Sequence, residues 1–177
     1  TTEDVFSLLD NLLKWTKSQL GKLSNVPQSI DMVGLVNGVI EVFKPIAGSK
    51  SISLKLDSAV ESVHVTVDIE MIKSVVRNLI SNAIKFSHKD TAVVVHVKVQ
   101  EVADENRTEA GNDKEVLVTV SDSGCGIKKE DQEKLLNEAT HFTTFGTDSE
   151  EGSGLGLLLC KDFVSKNHGR LWFTSEE

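Results

Sequence analysis

The run DSGCGI, Asp122 to Ile127, follows the segment EVLVTVS and places a carboxylate directly before two glycines. Apolar and polar residues alternate in EVLVTVS, which predicts a strand with one buried face. Gly124 and Gly126 then allow a tight turn in which the backbone can lie close against a flat ligand. The sequence therefore predicts an acidic side chain beside a glycine turn at the end of a strand.

A second glycine group, GSGLGL from Gly152 to Leu157, opens the helical segment GLLLCKDFVSKNHG. The free N–H groups at the start of a helix, together with the positive end of its dipole, favour a bound phosphate. Either glycine group alone is usually explained by backbone geometry, because glycine is common in turns and at helix ends. Together they favour a nucleotide that lies between them.

Two asparagines lie upstream in the helical segment RNLISNAIKF. Asn78 and Asn82 are four residues apart, so they share one face of the helix. Because Mg²⁺ binds few protein oxygens and keeps waters and phosphates as its other ligands, a single amide oxygen can serve as its protein ligand. In isolation, however, two such asparagines are more typical of a solvent-facing helix.

Asp122 has two interpretations at this stage. A carboxylate at the end of a strand can accept a hydrogen bond from the exocyclic amine of adenine, and a site built in this way rejects guanine. An aspartate before a glycine turn also commonly caps that turn through its own backbone. The residues alone leave both interpretations open.

The order of these segments resembles that of a known family. The asparagine helix, the first glycine turn, the loop HFTTFGT at 141–147 and the second glycine group resemble the N, G1, F and G2 boxes of the sensor histidine kinase ATP-binding domain. The resemblance extends from about Val5 to the last residue, and HFTTFGT fits the family pattern only loosely. It implies an α/β fold, a two-layer sandwich of about three helices on a mixed β-sheet (the Bergerat fold), preceded by one amphipathic helix.

The resemblance also assigns roles to residues and implies ATP and Mg²⁺ as ligands. In it, Asp122 reads adenine, while Asn82 is the Mg²⁺ ligand and Asn78 supports it. Lys85 faces the phosphates and forms, with Asn78, the catalytic pair. The other nucleotide contacts that the resemblance implies are Gly124, Gly126, Ile127, Phe142, Thr143, Thr144, Gly152, Ser153, Gly154, Leu155 and Gly156. Without the resemblance, Lys85 is equally an ordinary surface lysine.

Asn78 separates this chain from the hydrolases of the same fold. In the gyrase, heat-shock chaperone and mismatch-repair ATPases, the matching position carries a glutamate that activates water. An asparagine side chain cannot act as a general base. The sequence therefore favours phosphoryl transfer to another side chain over hydrolysis.

The composition limits the other classes of function. Among 177 residues, 27 acidic residues outnumber 19 basic ones and give a formal charge of -8, which argues against nonspecific nucleic-acid binding. Two cysteines without metal-ligand spacing favour a reducing compartment. No apolar run approaches the length of a membrane span. We therefore predict a cytoplasmic piece whose parent protein can still be membrane-anchored.

The predicted organisation has two parts. Residues 1–24 form the second helix of the dimerisation and phosphotransfer hairpin, or alternatively an amphipathic helix that packs within this domain. A break at Gly21, Asn25 and Pro27 is the predicted linker. Residues 28–177 form the catalytic domain, with its final strand truncated. The predicted elements of this domain are a helix capped near Ser29 or Asp31 and ending before Pro45, strands at 52–56 and 62–68, a helix at 69–86, strands at 91–100 and 115–121, helices at 128–139 and 156–169, and a strand beginning at 170.

The phosphoacceptor histidine of the family is missing from the chain. It lies on the first hairpin helix, before an acid and a later basic residue and proline, and none of the histidines fits: His64, His88, His96, His141 and His168. The implied partners are ATP, the histidine-bearing helix of the same protein, a response-regulator receiver domain and a second copy of the parent protein. The alternatives are a serine or dehydrogenase-type kinase of the same fold, and a degenerate nucleotide-binding module that signals by conformation.

Overall fold

The computed structural model describes residues 2–102, 114–135 and 155–177. The helices in these residues are α1 Thr2–Gln19, α2 Met32–Ser49, α3 Ile69–Phe86, α4 Lys129–Leu135 and α5 Gly156–Lys166. The strands are β1 Pro27–Asp31, β2 Ser53–Ser58, β3 His64–Asp68, β4 Ala92–Glu101 and β5 Lys114–Ser121. The helix predicted at 69–86 is confirmed at both of its ends.

The strands form a mixed arrangement under the helices. β2 and β4 run parallel, β4 and β5 run antiparallel, and β1 pairs antiparallel with β3 in a separate two-stranded sheet. A connection through α3 separates β2 and β3 from β4, which the parallel pairing of β2 with β4 requires. The predicted α/β fold class, helices on a mixed sheet with one amphipathic helix in front, is confirmed.

Two apolar clusters hold the layers together. The main core lies between α2, α3 and the three-stranded sheet, and its most buried side chains are Val36, Val39, Ile40, Ile80, Val93, Val95 and Val97. A smaller cluster joins α5 to α3 through Leu159, Cys160 and Phe163 of α5 and Met71 and Val75 of α3. Because α5 begins at the second glycine group, this smaller cluster fixes where that group meets α3.

One of the two predicted N-caps of α2 is confirmed, but the helix ends later than predicted. Asp31 is the N-cap and accepts from the N–H groups of Val33 and Gly34, whereas Ser29 lies within β1. The helix continues through Pro45 to Ser49, so the predicted end before Pro45 is wrong. Pro45 is exposed and removes one hydrogen bond on the solvent side, while buried Ala47 anchors the last turn in the core.

The prediction that no apolar run approaches the length of a membrane span needs a correction at α2. Met32–Ser49 is long and apolar enough to cross a membrane by length and composition, with a mean hydropathy of 1.2. Five residues of this helix are buried in the domain, among them Val36, Val39 and Ile40 of the main core. This packing accounts for part of its apolar character, whereas Val42 and Ile46 of the same helix are exposed.

Two predictions about the chain's irregular segments are wrong. Pro27, predicted as linker, is the first residue of β1, an edge position that proline tolerates because it needs no N–H bond there. The strand predicted to begin at Arg170 is not assigned, and residues 169–177 have no regular secondary structure. In the described contacts this segment is held by side chains, such as Arg170 with Glu115, rather than by a backbone ladder.

The C-terminal half of α1 packs more closely against the domain than its N-terminal half does. Trp15 contacts the smaller cluster, and Ser18 and Lys166 both bond to Asp162 of α5, the lysine at 2.7 Å. In contrast, Phe6 is 68% exposed and Leu9 is 55% exposed. One end of the helix therefore joins this core, as one of the two predictions has it, and the other end presents exposed apolar side chains.

Candidate functional site

The helix α3 carries the predicted asparagines, and α5 begins directly against one of them. A Cβ added to Gly156 would lie 3.1 Å from Oδ1 of Asn78, so the start of α5 approaches this amide closely. The amide nitrogen of Asn78 donates to the carbonyl of Ser74 at 2.9 Å. The side-chain oxygen of Asn78 is therefore directed at the place where the second glycine group meets the helix.

The first glycine turn is fastened to the other end of α3. Cys125 donates its N–H to the carbonyl of Phe86 at 3.3 Å, and Ser87 and Gly124 form an isolated antiparallel bridge. A Cβ at Gly124 would lie 2.5 Å from the carbonyl oxygen of Phe86, closer than real Cβ contacts come. Only glycine lets the turn reach the end of the helix in this way.

The first glycine turn and Gly156, the last glycine of the second group, thus lie against one helix at separate points. Asn78 and Phe86 are eight residues apart on α3, which corresponds to about 12 Å of helix length at 1.5 Å per residue. Asn82 and Lys85 lie between these two points, and both are half-buried. The structure therefore brings together three predicted site residues, Asn78, Asn82 and Lys85, along one helix.

Asp122 makes the turn-capping contact that was one of its two interpretations. Its Oδ1 accepts from the N–H of Gly124 at 2.9 Å, which is the turn-capping contact. Among the described residues, no hydrogen bond reaches Oδ2, and the residue is exposed. One carboxylate oxygen thus holds the turn, and the other remains available to a ligand.

The residues after the turn are fixed by two side chains that the sequence analysis missed. The N–H of Ile127 donates to Oγ of Ser175 at 3.0 Å, and Nε2 of Gln132 bridges the carbonyls of Ile127 and Ser175. Gly126 has a φ of +68°, and a Cβ there would lie 2.1 Å from the carbonyl oxygen of Glu176. No local pattern could reveal the contacts with Ser175, because Ser175 is more than forty residues from Ile127 and Gln132 in the sequence.

The oxygens near α3 match a cation that takes few protein ligands. Within the described residues, no group of three or more His, Cys, Asp or Glu side chains is placed to hold a metal ion. Asn82 is half-buried, and its side-chain amide makes no hydrogen bond to any other residue that the structure describes. A single amide oxygen is a donor set that suits Mg²⁺, which takes few protein ligands, and not zinc.

The loop HFTTFGT and most of the second glycine group fall in parts of the chain that the structure does not describe. The predicted site residues concerned are Phe142, Thr143, Thr144, Gly152, Ser153 and Gly154. Leu155, which precedes α5, is described and is 6% exposed. Its burial anchors the start of α5 in the domain, so its side chain packs rather than facing solvent.

A cavity lies next to α3 but outside the predicted nucleotide contacts. The cavity, of about 380 Å³, lies between α2 and α3 and is lined by Gly34, Gly38, Val42, Lys73 and Arg77 among others, none of which is a predicted nucleotide contact.

The two cysteines lie in different environments. Burial raises the pKa of the Cys160 thiol to about 12, so this cysteine remains protonated in the smaller cluster. Cys125, in the glycine turn, is exposed.

Comparison with known proteins supports the arrangement found here. Residues 67–177 match the family model described as histidine kinase-, DNA gyrase B- and HSP90-like ATPase. Sensor protein EvgS of Escherichia coli (strain K12) is 31% identical over 172 residues, which cover 97% of this chain and 14% of EvgS. The chain therefore spans a small part of this relative.

Solved structures share the fold. Histidine kinase AdeS of Acinetobacter baumannii superposes with a TM-score of 0.71 at 20% identity, over 99% of this chain and 74% of that one. Histidine kinase ThkA, solved in complex with the response regulator protein TrrA, gives a TM-score of 0.66 at 20% identity, over 95% of this chain and 42% of that one. At this level of identity the likeness concerns the fold alone.

Proposed function

Because the chain belongs to the family of histidine kinase-, DNA gyrase B- and HSP90-like ATPases, we propose that it is the ATP-binding catalytic domain of a sensor histidine kinase. It transfers the γ-phosphate of ATP to a histidine on a helical hairpin of the same protein. The observation that carries this proposal is the position of Asn78, a side chain without basic character whose oxygen faces the start of α5.

Asp122 supplies specificity for adenine. Its Oδ1 is held by the N–H of Gly124, so its Oδ2 is presented in a fixed direction at the glycine turn. Adenine offers an exocyclic amine to such an acceptor, whereas guanine presents a carbonyl oxygen in the corresponding position. A carboxylate facing that oxygen would be left without a hydrogen bond, which disfavours GTP.

Along α3, the residues after Asn78 bind the metal ion and face the phosphates. Asn82 would hold Mg²⁺ through its amide oxygen, and the bound ion would neutralise charge on the transferred phosphoryl group. Lys85 lies one turn further along the helix and adds a positive charge to that side. The backbone N–H groups of the second glycine group complete the phosphate contacts at the start of α5.

Asn78 determines what the site does not do. Its Nδ2 donates to the carbonyl of Ser74, and its Oδ1 belongs to a neutral amide that cannot accept a proton from water near neutral pH. A water molecule beside the γ-phosphate is therefore not activated. ATP is retained until a better nucleophile, the histidine of the hairpin, is positioned next to it.

The helix α1 belongs to that hairpin. Residues 1–24 are its second helix and residues 28–177 are the catalytic domain. The exposed apolar side chains Phe6, Leu9 and Leu13 are the surface on which the first hairpin helix packs. The domain accordingly works in the cytoplasm within a dimeric parent protein, with a response-regulator receiver domain as its downstream partner, as in the ThkA–TrrA complex.

Calorimetric titration of this chain with nucleotides tests the proposal. ADP and ATP should bind more tightly with Mg²⁺ than with EDTA, and GTP should bind far more weakly. The Asp122→Asn variant should lose about 1–3 kcal/mol of ADP binding, because an amide presents a donor as well as an acceptor to the adenine amine. Equal affinity for GTP and ATP would refute the adenine role.

A further inference from the structure

Lys50 is a buried cation that contacts the C-terminal ends of two helices, α2 and α3. Its backbone N–H donates to the carbonyl of Ala47 at 3.1 Å and closes α2. Its ammonium group crosses to the end of α3 and donates to the carbonyls of Ile84 at 3.1 Å and Lys85 at 2.7 Å. The residue is 8% exposed, which is unusual for a lysine.

The environment of the ammonium group explains why this charge is tolerated. The last carbonyls of an α-helix have no partner within the helix, and they carry the negative end of the helix dipole. A buried cation is stable only where hydrogen bonds compensate for the lost water. Lys50 and the end of α3 therefore satisfy each other, and the position of the ammonium group fixes the last turn of the helix.

The last turn of α3 is also where the first glycine turn is attached. Phe86 follows the two carbonyls that Lys50 holds, and its own carbonyl accepts the N–H of Cys125 at 3.3 Å. Gly124, next to Cys125, is bonded to Oδ1 of Asp122. A series of hydrogen bonds, joined by short stretches of backbone, thus leads from the ammonium group, through the end of α3, to the carboxylate proposed to read adenine.

We propose that Lys50 is a positioning residue of the nucleotide site. It holds the last turn of α3 so that the glycine turn, and with it Asp122, keeps the orientation that adenine requires. The same contact fixes the backbone of Lys85, whose side chain is proposed to face the phosphates. This inference rests on the proposed function for its ligand, although the hydrogen bonds themselves do not.

The first test measures ADP affinity in two variants at position 50. Lys50→Met keeps the length and apolar stem of the side chain and removes its three donors, whereas Lys50→Gln keeps an uncharged donor. We expect the dissociation constant for Mg²⁺-ADP to rise about tenfold in Lys50→Met, equivalent to about 1.4 kcal/mol, and by a smaller factor in Lys50→Gln. An unchanged dissociation constant in Lys50→Met would overturn the proposal.

A stability control separates positioning from general destabilisation. Val97 is buried in β4 and is 1% exposed, and it lies outside the series of hydrogen bonds. Val97→Ala should lower the melting temperature and leave the ADP dissociation constant within about twofold of the wild-type value. If Val97→Ala and Lys50→Met weakened ADP binding equally at equal loss of stability, Lys50 would be merely structural.

The second test needs no nucleotide and therefore separates this inference from the proposed function. Amide hydrogen exchange in the free protein should be faster at Cys125 in Lys50→Met, by about tenfold, because its acceptor on Phe86 is no longer held in place. The amide of Val95 in β4 should exchange faster only by the factor that the loss of global stability predicts. Unchanged exchange at Cys125 would overturn the role of Lys50, whereas failure of the wild-type protein to bind ADP would instead count against the proposed function. If Lys50→Met does not fold, Lys50→Gln decides both tests, with the same direction expected.

Discussion

Gly124→Ala is the substitution whose effect the structure defines most sharply. The added Cβ would lie 2.5 Å from the carbonyl oxygen of Phe86 and 2.8 Å from Oδ1 of Asp122. The closer contact is with backbone, so the clash cannot be relieved by turning a side chain. The glycine turn must move away from α3, which strains the Ser87–Gly124 bridge and the bond from Cys125 to Phe86.

The magnitude follows from these contacts. Overpacking of one methyl group against a fixed backbone destabilises a protein by about 1–3 kcal/mol. For a domain of this size, each kcal/mol lowers the melting temperature by about 2–4 °C. The same displacement turns Asp122 away from the adenine that we propose it binds, so ADP affinity should fall together with stability.

Urea unfolding and ADP titration of the Gly124→Ala variant measure both effects. A matched control is Gly38→Ala in α2, where an added Cβ meets nothing within 4 Å. Because Gly38 lies inside a helix, its replacement should stabilise the protein by about 0.5–1 kcal/mol. Wild-type stability and wild-type ADP affinity in Gly124→Ala would refute the close approach of the turn to α3.

Three other substitutions test separate parts of the account. Asn82→Ala should abolish the difference between ADP affinity in Mg²⁺ and in EDTA without changing the unfolding midpoint, and an unchanged difference would remove Asn82 as the metal ligand. Asn78→Glu should raise ATP hydrolysis, by up to about 10²–10⁴-fold if the new carboxylate reaches water, whereas rapid hydrolysis by the wild-type chain would contradict the kinase proposal. The N–H of Val63 lowers the pKa of Asp31 below its ordinary value of 3.8, so Asp31 contributes stability above that pH and loses it as the pH falls through the lowered pKa. In urea unfolding at decreasing pH, the wild type should therefore lose stability more steeply than Asp31→Asn below about pH 4, and parallel curves would contradict this.

Much of the fold could be predicted because its signals are local. In α3 the apolar residues repeat at helical spacing, and Asp68 caps the first turn through the N–H of Met71, so both ends of the helix were predicted correctly. The start of α2 follows the same rule through Asp31. Where the sequence carries periodicity and a cap, the local and the tertiary preferences agree.

The elements that were predicted wrongly depend on distant partners. β1 is a short, mostly exposed strand that begins with Pro27 and owes its existence to backbone pairing with β3, which leaves no side-chain pattern. Pro45 would end an isolated helix, but the burial of Ala47 extends α2 beyond it. Tertiary packing overrides local preference in both cases.

The candidate site divides in the same way. The glycines and asparagines were predicted because their residue types and order carry information about ligand contacts. Lys50 resembles a surface lysine in the sequence, and only the fold places its ammonium group at the end of α3. Ser175 likewise supports Ile127 from a distant part of the chain.

The central claim is that this site transfers phosphate from ATP to histidine, and labelling of the intact parent protein tests it most directly. The parent should be incubated with Mg²⁺ and ATP labelled at the γ-phosphate, and the stability of the protein-bound label should then be measured in acid and in alkali. We predict a label that is lost in acid and kept in alkali, as a phosphohistidine requires, and that is absent from the Asn82→Ala variant. An acid-stable label, or rapid release of inorganic phosphate without any label, would contradict the account.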